Sequence, residues 1–145
     1  MTDDGYQLYD SPVICEYLDS LMPENRLIPE SGIERWEIRR WGALADGILD
    51  AAYNVVMEHR RPKSEQSTDW VQRWEEEITR AIQQAECDLD SMPKHITLAQ
   101  IGLGSALGYL DFRLPEISWQ ENHPRVAGWY EEFRTRPSMV NTLPG

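Results

Sequence analysis

The sequence predicts an all-α bundle carrying one short strand and one helix left from an α/β unit at its amino end. Three observations predict it. Five stretches carry apolar residues at helical spacing. Capping signals and prolines punctuate those stretches. A single run, Tyr6 to Tyr9, has aromatics at its ends and Leu8 inside, which suits a strand.

The elements follow in order. Asp10-Ser11-Pro12 opens a helix with Ser11 as its cap, and Ile14, Tyr17, Leu18 and Leu21 fall at helical spacing. Ile14 stands where a capping box needs Glu or Gln, so the Ser11 hydroxyl is left for a ligand. A helix start with free N–H groups suits an anion, and Asp10 beside it suits an ammonium group. Together they fit the two ends of an amino acid. If no ligand binds there, Ser11 simply caps the helix and Asp10 favours its dipole.

Residues 22–31 read as a linker with two prolines, in which Leu27-Ile28-Pro29 is apolar enough to dock. Ser31 to Glu34 has the spacing of a capping box and starts a long helix. Its apolar face runs through Trp41, Leu44, Ala45, Ile48, Leu49, Ala52 and Val56, and it ends near Arg60-Arg61 before Pro62. Thr68-Asp69 opens the next helix, whose inner stripe runs from Val71 and Trp74 through Ile78, Ile82 and Ala85 to Leu89. Glu75, Glu76 and Glu77 read as its solvated face rather than as a catalytic set.

Thr97 to Gln100 is a second capping box, and Ile96 and Ile101 frame it as a hydrophobic staple. The helix that follows, to Arg113, holds Gly102, Gly104 and Gly108. A phosphate-binding glycine loop needs a preceding strand, and here a helix cap precedes. The glycines instead mark close approach of a neighbour, since each costs about 1 kcal/mol of helix propensity against Ala. Ile117 and Trp119 read as loop. Asn122 or His123 caps a last helix with Val126, Trp129, Tyr130 and Phe133 inward, and Ser138 to Gly145 is a tail.

The 145 residues carry a formal net charge of −11. That balance argues against nucleic acid or anionic membrane as a partner, and admits a basic protein. Cys15 and Cys87 lie far apart in helical patterns, which points to half-buried free thiols in a reduced, cytoplasmic setting. No apolar run reaches membrane-spanning length, and Met1-Thr-Asp-Asp is too acidic for a secretory start. His59, His95 and His123 are isolated and no metal-ligand spacing occurs, so neither a metal nor a resident cofactor is expected. There is no G-x-S-x-G elbow.

Several of these motifs together resemble one family. Asp10-Ser-Pro-Val-Ile-Cys-Glu-Tyr-Leu18 is similar to the segment of glutathione transferases that holds the γ-glutamyl end of glutathione. Arg40-Trp-Gly-Ala-Leu-Ala-Asp-Gly-Ile-Leu-Asp-Ala51 resembles the first long helix of bacterial members. The capping box and staple resemble those of the family's central helix, with Gln100 in place of the usual Asp. The resemblance implies a remnant of a thioredoxin-like domain at 1–21, the linker at 22–31 and an all-helical carboxy-terminal domain at 32–145. It implies conjugation of glutathione, as co-substrate, to electrophilic apolar molecules, and a homodimer across the first two long helices. Asp10 and Ser11 would bind glutathione, and Tyr53, Tyr109, Phe112 and Arg113 would form the electrophile's wall. The family's thiolate-stabilising residue has no counterpart here, so the chain is expected to be a truncated transferase, inactive alone. The alternative is a non-catalytic transferase-like module for protein interaction.

Overall fold

The computed structural model describes Thr2 and residues 5–143. Met1, Asp3 and Asp4 of the expected amino-terminal remnant, and Pro144 and Gly145 of the expected tail, lie outside the described residues. Helices follow in the order α1 (Ser11–Ser20), α2 (Ile33–His59), α3 (Thr68–Asp88), α4 (Leu98–Arg113), α5 (Trp119–Asn122), α6 (Pro124–Phe133) and α7 (Pro137–Val140). Short 3-10 turns at Pro23–Asn25, Lys63–Glu65 and Leu89–Ser91 interrupt the connections.

The fold is all-α, and the strand expected at Tyr6 to Tyr9 is not formed. A lone strand has no ladder to satisfy its backbone. Here the chain closes a local turn instead: Thr2 N–H donates to the Tyr6 carbonyl at 2.8 Å, and Gly5 adopts φ 79°. Tyr6 and Tyr9 remain 68% and 82% exposed. Two further corrections add helix. Trp119 opens the short helix α5 rather than lying in a loop, because its buried indole donates to Asp111 at 3.0 Å. Residues assigned to the tail form α7, where Pro137 presets the first helical φ.

The starts of α1 and α2 also differ from the expectation, while α3 opens at Thr68 as expected. Asp10, not Ser11, takes the N-cap position of α1, and its carboxylate accepts from the Ser11 N–H. Ser31 does not cap α2. Gly32 occupies that position at φ 94°, a left-handed value that glycine tolerates, and no side chain bonds there. Glu34 is drawn to His95 at 3.4 Å instead of reaching back to Ser31. Ser67 caps α3, accepting from Trp70 N–H at 3.4 Å.

The core forms where α2 packs against both α3 and α4, with α6 laid across α3 and α4. Helix α4 is central: Leu103, Ala106, Leu107 and Leu110 are fully buried. The buried face of α2 runs Ile38, Trp41, Ala45, Ile48, Ala52 and Val55, so Leu44, Leu49 and Val56 flank the seam rather than fill it. Each fully buried Leu or Ile contributes about 1.5–3 kcal/mol. At Gly104 an added Cβ would lie 2.7 Å from the Phe133 ring, so only hydrogen lets α6 approach. Helix α1 buries no residue. It is tied down by polar contacts: Glu16 pairs with Arg35 and, at 3.0 Å, with Arg39. Asp19 accepts the backbone N–H groups of Leu27 and Ile28. Ile28 itself is 1% exposed, and the Leu27 carbonyl accepts from Leu98 N–H at 3.2 Å, so this connection docks on α4.

Candidate functional site

The first turn of α1 brings Ser11 to a groove, and Asp10 caps that turn just outside the groove's lining. The groove, about 460 Å³, lies between α1, α2 and α4 and is lined in part by Ser11, Cys15, Arg39, Asp46, Ile101 and Ser105. The backbone offers less to an anion there than the sequence suggested. Ser11 N–H is spent on the Asp10 carboxylate, residue 12 is proline, and Val13 N–H bonds the Asp10 carbonyl at 3.0 Å. What remains is the Ser11 hydroxyl, which has no hydrogen-bond partner among the described residues, with the Asp10 carboxylate beside it. A hydroxyl can meet a carboxylate, and an acidic side chain an ammonium group.

Asp46 strengthens the acidic end. Partial burial raises its carboxyl above the ordinary 3.8, and the charges of Asp50 and Asp10 push the same way, against Arg39. Asp46 therefore feels the charge of Asp10, and a cation bound beside Asp46 would favour its ionised form. Asp46 is not among the apolar residues that mark the inner face of α2 in the sequence. The signal was nonetheless present: Asp46 stands seven residues beyond Arg39 and three beyond Ala43, on the edge of the buried stripe.

A second hollow, about 500 Å³, opens at the carboxy-terminal end of α4 against α6 and the residues around α7. Tyr109, Phe112 and Arg113 line it, with Tyr130, Arg134 and Leu143 opposite. The Arg113 guanidinium lies 4.2 Å from the Phe112 ring centroid. Tyr53, 55% exposed on α2, lines neither this hollow nor the groove, so the structure separates it from the other three. Ser105 lines both spaces, which makes them neighbours. Both volumes suit small molecules.

Thr97 and Gln100 form a capping box at the start of α4. The Gln100 Oε1 accepts from Thr97 N–H at 2.9 Å, while its amide donates to the carbonyls of Pro93 and, at 2.9 Å, of His95. Ile96 and Ile101 are both half-buried but line different hollows, Ile96 with Gln100 and Trp129, Ile101 with Ser11. A cap that the sequence did not reveal joins α3 to α6: the Glu86 carboxylate accepts from Arg125 N–H at 2.9 Å and Val126 N–H at 2.8 Å. Among the described residues, no group of three or more His, Cys, Asp or Glu is placed to hold a metal ion, and Cys15 and Cys87 are free thiols, exposed rather than half-buried.

Residues 68–132 match the family model for the carboxy-terminal domain of glutathione S-transferase. The uncharacterized GST-like protein YibF of Escherichia coli (strain K12) is 33% identical over an alignment covering 99% of this chain and 73% of that protein. A glutathione transferase family member from Pseudomonas fluorescens Pf-5, solved with bound glutathione, is 40% identical. Its TM-score is 0.95, and the match covers 99% of this chain and 71% of that one. A glutathione S-transferase from Methylobacillus flagellatus KT, also with glutathione bound, is 36% identical with a TM-score of 0.92, covering 99% of this chain and 73% of that one.

Proposed function

The chain belongs to the glutathione S-transferase family, and on that premise we propose that its groove at α1 holds the γ-glutamyl end of glutathione. The Ser11 hydroxyl donates to the ligand's carboxylate, and Asp10 with Asp46 takes its ammonium group. The adjoining hollow, walled by Tyr109, Phe112 and Arg113, receives an electrophilic apolar molecule. The observation that supports this reading is the shared wall at Ser105: the groove at Ser11 and the hollow at Phe112 lie next to each other. Conjugation needs that juxtaposition, because the thiolate must approach the electrophile within about 3–3.5 Å.

In this reading the 145 residues orient both reactants and none of them stabilises the thiolate, so the polypeptide by itself is inactive or nearly so. Tyr53 is not part of the wall. The protein acts in the cytoplasm as a homodimer across α2 and α3. Exposed Trp36, Tyr53 and Trp70 on those helices support the dimer. No helix among the described residues is long and apolar enough to cross a membrane.

Calorimetric titration with glutathione tests the proposal. The wild-type chain is expected to bind, S11A to weaken binding about tenfold or less, and D46N to weaken it without loss of fold. Unchanged binding in both variants would contradict the assignment.

A further inference from the structure

The hollow at the end of α4 holds two hydrogen-bond donors that have no protein acceptor among the described residues. Arg113 makes no ion pair and no hydrogen bond among the described residues, although the chain is strongly acidic. Its guanidinium rests on the Phe112 ring at 4.2 Å, which orients it without satisfying its N–H groups. The acids that share its surroundings are committed elsewhere. Asp111 accepts from Trp119 Nε1 at 3.0 Å and Gln120 Nε2 at 2.8 Å. Glu131 pairs with Arg134 at 3.2 Å.

The second donor is Tyr130. The residue is 4% exposed and lines the hollow, yet its hydroxyl has no protein partner among the described residues. Gly108 makes room for it: a Cβ there would stand 3.0 Å from the hydroxyl oxygen. Burial, reinforced by the charge of Asp111, raises the phenol's pKa, so it stays protonated and can only gain by donating. The hydroxyl oxygen itself is not sealed off from solvent, so an acceptor bound in the hollow would take the place of water there. Tyr109, Phe112, Met139 and Leu143 give the hollow its apolar wall, while Asp111, held by Trp119 and Gln120, and Arg134, paired with Glu131, line its polar side.

We propose that this hollow is a site for an organic acid with an apolar body, in which Arg113 holds the carboxylate and the Tyr130 hydroxyl donates to an oxygen of the same molecule. The inference rests on reading the hollow as the electrophile's place, and it narrows that electrophile to carboxylate-bearing molecules. A monoanion fits better than a polyanion, because one unpaired cation stands against a net charge of −11.

The test needs neither glutathione nor turnover. The 145-residue chain is titrated calorimetrically with 4-phenylbutyrate and with its neutral isostere 4-phenylbutyramide. The acid is expected to bind about tenfold more tightly, a preference that shrinks with added salt. R113Q should erase the preference and R113K keep part of it, since lysine retains the charge but not the fork. Y130F should weaken both ligands several-fold while leaving the thermal midpoint unchanged, because the hydroxyl it removes bonds nothing in the free protein. Equal affinity for acid and amide, a preference that survives R113Q, or no binding of either would overturn the proposal. If glutathione fails at the Ser11 groove while the acid preference persists, conjugation is the part that falls and the organic-acid site stands.

Discussion

Gln100 accepts from the Thr97 backbone and donates to two carbonyls of the preceding loop, so one amide closes the cap and pins residues 93–95. An Asp at this position could serve only the first role, because a carboxylate has no N–H. Two substitutions separate the roles. Q100A should cost about 2–3 kcal/mol, since it removes the box and strands buried partners. Q100D should restore the cap but leave the Pro93 and His95 carbonyls unpaired, and recover about half of that loss. Urea denaturation of the three proteins measures both; a Q100D as unstable as Q100A would show that the loop bonds dominate. The capping box was legible in the sequence because its partners are three residues apart. The Glu86 cap on α6 was not, because its acceptor lies 39 and 40 residues before the donors it serves. Tyr130 belongs to the core, as its helical spacing predicts; that its hydroxyl faces a hollow depends on Gly108 of another helix.

Among the elements, α1 is the least anchored. It buries no residue, and Val13, Ile14, Leu18 and Leu21 are 39–58% exposed. Its attachment is electrostatic, through Glu16 to Arg35 and Arg39, and through Asp19 to the Leu27 and Ile28 backbone. Partly exposed ion pairs are screened by salt. Amide exchange in α1 should therefore outpace that in α2 and α4 and quicken further at 1 M salt, whereas α4 should not respond. Protection of α1 equal to that of α4 would mean that something besides these contacts covers it. Helix periods and stops were legible throughout α2, α3, α4 and α6, where the 3.6-residue stripe and a nearby Pro agree. The Tyr6 to Tyr9 run shows the opposite case. Its pattern suits a strand, but a strand is completed by neighbours that local pattern cannot supply. The Ser31 spacing failed for a related reason, since the left-handed turn at Gly32 displaced the helix start.

The whole molecule holds several carboxylates whose ionised form the fold favours. Glu16 is held below its ordinary 4.5 chiefly by the Arg35 hydrogen bond. Glu58 is lowered by the Ser67 backbone N–H, at 2.7 Å, with Arg61 assisting. Asp88 falls below 3.8 through Arg40 and then Gln84. A lowered folded pKa gives stability that is present above the unfolded value and lost as pH falls through the folded one. Asp46 works the other way: its raised pKa gives stability present below 3.8 and lost as pH rises through the folded value. With three groups against one, stability should decline as pH falls below about 4.5, and R40Q should make that decline shallower. Thermal melts between pH 3 and 7 check it; a chain more stable at pH 3 than at pH 6 would contradict the assignment. At this scale, the family was legible as a resemblance spread along nearly the whole chain, while the groove exists only after α1, α2 and α4 meet. The central claim is that this groove holds the γ-glutamyl end of glutathione. Amide NMR during a glutathione titration tests it most directly. Shifts centred on Asp10, Ser11, Val13 and Asp46 are expected. No shift at millimolar glutathione, or shifts confined to helices remote from the groove, would contradict it.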